Sequence, residues 1–264
     1  MLPACYLAGA TADARAWRRL LPEPRPAVGT LLGLRVSADA ATFCLPSGAL
    51  VAEGLNYAGL SRSLGVPARP ALASLLVRRA LLATSHAAVL AAGALLGRGW
   101  LEAASPRLLG RAGLEAWVLA IAAAFLAACG VTLLALRRWI GGGTARLPTL
   151  VAPTGLFLAV WWIESIETFV LLWLLGARAP WRAVLAFEPL LSLLRSLVVF
   201  LPAGLGLQDV GYAMFLGALG APDAASLSAA FVVLKRSREL AVIAIGGLRL
   251  AWRRPRAPLP SPAP

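Results

Sequence analysis

Charge is scarce in this chain. Only 14% of its 264 residues are Asp, Glu, Lys or Arg, against about 25% in soluble globular domains. With 59% hydrophobic residues and a mean hydropathy of +0.78, little room is left for a soluble domain, and the chain reads as an integral membrane protein. Histidine is nearly missing too. The single His86 excludes a His-based metal site or a Ser-His triad, and in TSHAAVL it reads as a packed, hydrogen-bonded side chain. Cys5, Cys44 and Cys129 are scattered, with no CxxC pair and no disulfide framework, and read as small buried hydrophobes. Lys235 is the only lysine. In so Ala- and Arg-rich a chain this reads as coding bias, and its position either as chance or as the mark of a required ammonium group. No nucleotide motif is present: LPAGLG lacks the GxGxxG spacing and the Lys of a P-loop, so ATP is not the direct driver. No cofactor is implied. No basic region precedes the apolar residues 1–10, so a cleaved signal peptide is a poor fit. The short apolar start reads as a truncated first helix or a misassigned start.

Long apolar runs are what the sequence has instead. Runs of about 18 residues or more read as spanning helices. Candidates lie near 27–45, 80–97, 114–136, 150–175, 183–201 and 225–250, while 205–220 is short and Gly-rich and either spans or re-enters. The expected fold is all-α and multi-pass, with about six to eight transmembrane helices and broken or re-entrant segments. The net charge of +13 gathers at helix ends, at Arg18, Arg19 and Arg25, at Arg137 and Arg138, and at Arg249, Arg253, Arg254 and Arg256. Such clusters set topology, here with the carboxyl terminus in the cytoplasm, and can attract anionic headgroups. Charges separated by spans exclude nucleic acid as a partner. The tail 253–264 is Pro-rich and reads as disordered. GTLLG at Gly29–Gly33 matches GxxxG, weak evidence of dimerisation in so Gly-rich a chain.

An internal repeat follows from two segments, LPSGALVAEGLNYAGLSRSLGVP from Leu45 and LPAGLGLQDVGYAMFLGALGAP from Leu201. Each opens Leu-Pro-small-Gly, then carries a carboxylate (Glu53, Asp209), a tyrosine (Tyr57, Tyr212) and a closing Leu-Gly-x-Pro. Each has an arginine upstream (Arg35, Arg195) and a basic pair downstream (Arg78–Arg79, Lys235–Arg236). The pseudo-repeats run about 12–79 and 166–236. Duplicated halves with broken helices are typical of secondary transporters.

Ionised groups in apolar sequence are expensive and usually face a cavity or each other. Glu164 and Glu167 share one helix face, as do Glu188 and Arg195. Arg195 is expected to meet Glu164 or Glu167 across helices. Lys235, Arg238 and Glu239 are spaced for a local pair, and Asp39 follows Arg35 at i+4. Buried pairs stabilise poorly, so the candidate substrate-binding set is Arg195, Glu188, Glu164, Glu167, Asp209, Arg35, Glu53 and Lys235. Pro202, Gly204 and Gly206 join it as a bent backbone whose N–H groups can bind an anion. No nucleophile–base pair, metal cluster or phosphate loop points to an enzyme.

On these residues the chain resembles the lysylphosphatidylglycerol synthase transmembrane region, also called the flippase-like domain family. The likeness rests on E-x-x-E at Glu164 and Glu167, Glu188-Pro189, Arg195, LPAGLGLQD with Tyr212, and LKRSREL, and it extends over most of 12–250. It departs in the short amino terminus and in Asp209, where Glu is common. The resemblance implies a bacterial inner-membrane protein, residues 1–252, that moves an anionic lipid or lipid-linked molecule between leaflets, with lipid-synthesis enzymes as possible partners. It does not imply synthase activity, because no residues here could form that domain. A membrane-embedded enzyme or a non-transporting accessory subunit is the alternative.

Overall fold

A backbone in hydrocarbon must satisfy its own N–H and C=O groups, which favours helices. The computed structural model describes residues 2–140, 147–197 and 206–252, and among them there are ten α-helices and no strand. In chain order they are α1 Leu2–Leu20, α2 Val28–Cys44, α3 Gly48–Ala58, α4 Ala68–Leu96, α5 Arg98–Leu109, α6 Leu114–Ile140, α7 Leu147–Leu174, α8 Trp181–Leu197, α9 Leu207–Ala218 and α10 Ala224–Trp252. A π-helical turn, Gly59–Ser63, continues α3. The amino terminus is one helix that runs on past the apolar residues 1–10 and through Asp13 to Leu20.

Among the described residues, three helices are long and apolar enough to cross a membrane: Ala68–Leu96, Leu114–Leu136 and Leu150–Leu174. They coincide with three of the six expected runs. The run near 27–45 becomes α2, 17 residues long, and the run near 183–201 coincides with α8 as far as Leu197, its last residues lying outside those described. The run near 225–250 becomes α10, long enough at 29 residues but carrying Lys235, Arg236, Arg238 and Glu239 at its middle.

The side chains are distributed as a membrane solvent would sort them. Val151, Trp173, Val131, Leu240 and Ile245 are exposed on the outside, each more than 60% accessible. Asp13, Arg78, Glu167, Glu188 and Lys235 lie inside, none above 5%. A water-soluble fold reverses this order, since Lys, Glu, Arg and Asp are almost never fully buried unless paired. Leu114–Leu136 is the most outward helix, with 17% of its apolar window buried.

Close helix packing depends on a few glycines. The chain reverses between α2 and α3 at Leu45–Ser47, where Ser47 takes a left-handed φ of 54°. Gly48 follows, and a Cβ there would strike the Ala41 carbonyl and the Thr42 backbone, so α3 folds tightly onto the end of α2. Pro189 inside α8 has no N–H to give the Leu185 carbonyl one turn earlier. That carbonyl faces Gly93 of α4, and a Cβ on Gly93 would collide with it. Gly246 of α10 sits in the same way against the Val36 carbonyl of α2. Gly33, the second glycine of the GxxxG match, is covered by the Arg249 guanidinium of α10, so within the chain this face is occupied. Helix α1 packs on α7, α4 on α8, and α10 on α2.

Candidate functional site: a charged cavity

The two sequence segments that share the Leu-Pro-small-Gly pattern build two ion-pair clusters. In the first, Arg78 is fully buried and grips Asp13 of α1 with Nε and Nη2 at 2.7 and 2.6 Å. Its guanidinium lies 5.0 Å from the Trp17 ring centre. The neighbouring Arg79 reaches outward to Glu53 of α3. Arg35 of α2 bridges Asp13 at 3.3 Å and Asp39 at 3.0 Å, the expected i+4 pair. Tyr6 donates its hydroxyl to the other Asp39 oxygen at 2.9 Å.

In the second cluster, Lys235 donates to Glu188 Oε1 at 2.8 Å, and Tyr212 donates to Glu188 Oε2 at 2.7 Å. The Tyr212 oxygen in turn accepts from Lys235 at 2.8 Å and from Gln208 at 3.1 Å. The lone lysine is therefore the centre of a buried network, not a chance residue. Its neighbour Arg236 binds Asp209 of α9 at 2.8 Å and Glu239 at 2.6 Å. Arg238 pairs with Glu167 of α7. The expected local pairing of Lys235 and Arg238 with Glu239 is thus corrected: Glu239 takes Arg236 at i+3, and the other two cations reach helices α8 and α7. Gly206, with φ 84°, opens α9 and donates its N–H to Asp209 at 3.2 Å. Pro202 and Gly204 lie outside the described residues.

Between these clusters lies a cavity of about 330 Å³, walled by α1, α2, α3, α4, α7, α8 and α10. Four arginines reach it, Arg35, Arg79, Arg195 and Arg238, and so do four carboxylates, Asp13, Asp39, Glu164 and Glu167. Of the sequence-predicted residues, Arg35, Glu164, Glu167 and Arg195 line it together. Glu53, Glu188, Asp209, Lys235 and Gly206 do not; the first four are engaged as ion-pair partners. Six of the eight charges on the wall have a partner within the protein. Arg195 and Glu164 do not. Both are half-buried, and neither forms an ion pair or side-chain hydrogen bond with a described residue. The expected contact of Arg195 with Glu164 or Glu167 is absent, since Glu167 is taken by Arg238. Arg195 still exerts the largest electrostatic attraction on Glu164, ahead of Lys235 and Arg238. Ser192 stands three residues before Arg195 on the same helix face, and its hydroxyl is buried without a partner.

No family model, curated protein or solved structure matches this chain. Its chemistry must be read from the cavity itself. Nearby, His86 packs as its setting suggests, stacked on Trp161 at 3.8 Å between ring centres and bonded through Nε2 to the Pro189 carbonyl at 2.8 Å. No group of His, Cys, Asp and Glu among the described residues has the arrangement of a metal site. Sequence reasoning overlooked Asp13, Tyr6 and Arg238 as wall residues. The signal for Asp13 was present, a lone carboxylate at the end of an apolar run, and so was that for Arg238, a charge within the apolar run near 225–250; Tyr6 carried none.

Proposed function

We propose that this protein is a translocase for a lipid or lipid-linked molecule with an anionic headgroup. One observation carries the reading: an apolar-surfaced helical bundle encloses a charged cavity in which Arg195 forms no ion pair or side-chain hydrogen bond with a described residue. An unpaired guanidinium inside such a bundle is costly unless something else supplies the negative charge. Phosphate is the natural complement, because the planar fork of Arg donates two hydrogen bonds at once. The cavity volume is near the lower end of small-molecule sites, about 300–1,000 Å³, which suits a headgroup whose chains remain in the bilayer. Arg35, already shared between Asp13 and Asp39, would contribute field rather than direct contact.

The ion pairs support a duplicated architecture within this reading. Arg78–Asp13 and Lys235–Glu188 are the buried pairs, each beside an aromatic ring, and Arg79–Glu53 and Arg236–Asp209 are the more accessible ones. The first member of each basic pair turns inward and the second takes the carboxylate of the Leu-Pro-small-Gly segment. The short helices α3 and α9 would then be re-entrant or partial spans, α2, α8 and α10 would complete six to eight crossings, and the cavity would lie between the repeats, where such transporters hold substrate. The tyrosines break the parallel: Tyr212 is in the ion-pair network, while Tyr57 packs against the apolar cluster of Trp17 and Leu31. A flippase-like protein of a bacterial inner membrane, with its carboxyl terminus in the cytoplasm, is the setting this reading takes.

Reconstitution tests it. Purified protein in liposomes with labelled phospholipids is expected to equilibrate the label between leaflets, measured as the fraction reachable by an external reductant over time. Arg195→Ala is expected to abolish that exchange while inserting normally. Exchange by the variant at the wild-type rate would remove Arg195 from the mechanism.

A further inference from the structure

The two unpartnered charges on the cavity wall have opposite signs and sit on different helices. Arg195 and Ser192 come from α8 and offer only donors in this role; Glu164 comes from α7 and offers an acceptor. Glu167, one turn beyond Glu164 on the same face, is held by Arg238 through Oε2, and its Oε1 is buried with no partner. A purely anionic headgroup would satisfy the α8 side and leave Glu164 facing it as a like charge. A purely cationic one would do the reverse to Arg195. Either would leave a desolvated charge unpaired, which is the costly case. All the other charges on the wall have an ion-pair partner in the protein, so one positive and one negative group face the cavity without one among the described residues.

We infer that the headgroup recognised in this cavity is zwitterionic, its phosphate held by Arg195 and Ser192 and its primary ammonium by Glu164, with Glu167 Oε1 as a second acceptor. This rests on the translocase reading and narrows its substrate class. A primary ammonium fits better than a quaternary one because its three N–H groups can donate to both carboxylates, whereas a quaternary ammonium has no N–H to give. Arg195 and Glu164 are not within ion-pair distance of each other, so the ligand would bridge them.

The test is equilibrium binding of two short-chain probes, dihexanoylphosphatidylethanolamine and dihexanoylphosphatidylglycerol, to the full chain in detergent by calorimetry. Each variant is first checked for a wild-type unfolding transition. Losing one charge-assisted hydrogen bond is expected to weaken binding about tenfold. Wild type is expected to bind the ethanolamine probe at least about tenfold more tightly than the glycerol probe. Glu164→Gln is expected to erase that preference while keeping the glycerol probe bound, and Arg195→Gln to weaken both. Equal binding of the two probes by wild type, or a preference that survives Glu164→Gln, overturns the zwitterion and leaves the translocase reading in place. Binding of neither probe by folded protein overturns both.

Discussion

Arg78 and Arg79 are neighbours in the chain but stand in different media. Arg78 has no accessible side-chain surface and binds Asp13 through two bonds; Arg79 is 44% exposed and meets Glu53 near the rim. Removing one member of a buried pair strands the other, at about 3–5 kcal/mol, whereas an exposed pair contributes about 0–1 kcal/mol. Arg78→Met is therefore expected to lower the unfolding free energy in detergent by about 3–5 kcal/mol. Arg79→Met is expected to lower it by less than about 1 kcal/mol. Denaturant titration of the two variants side by side checks this. At this scale the sequence was legible where a charge interrupts an apolar run, because the desolvation penalty makes such a residue conspicuous: Arg35, Glu164, Glu167 and Arg195 all reach the cavity. Partners were not legible. The Arg78–Asp13 and Arg238–Glu167 contacts join residues far apart in the chain, and helical spacing speaks only for neighbours one turn away. Reading Lys235 as chance failed for the same reason, since its partners Glu188 and Tyr212 come from two other helices.

At the level of helices, the bundle closes on backbone contacts. The Leu185 carbonyl, deprived of its donor by Pro189, lies against Gly93, and α4 and α8 approach so closely there that no side chain fits. Gly93→Ala would push the two helices apart, and because the obstacle is backbone, no rotamer change can absorb it. Overpacking of this kind costs about 1–3 kcal/mol. A fall in thermal midpoint is expected for Gly93→Ala and no change for Gly99→Ala, whose Cβ would meet nothing. The break at Leu45–Gly48 was readable in advance, because Pro followed by Gly punctuates a helix. The need for glycine in the middle of α4 was not, since an isolated Gly in an Ala-rich helix has no local signature.

For the whole molecule, the sorting of side chains is compatible with a membrane as the medium. Most of the apolar windows of Leu114–Leu136 and Leu150–Leu174 is uncovered by protein, an arrangement that costs little in hydrocarbon. The all-helical class and three long apolar helices were legible from composition, because scarcity of charge over long runs admits few other folds. The cavity was not legible, because it is made by seven helices meeting. It has one further consequence. Cys5 stands on its wall, whereas Cys129 is buried. With Cys44 replaced by serine, a charged, water-soluble thiol reagent is expected to modify Cys5 in the empty protein and to be slowed when a headgroup occupies the cavity. Cys5 thus serves as an occupancy reporter that the chain already carries, read by mass spectrometry.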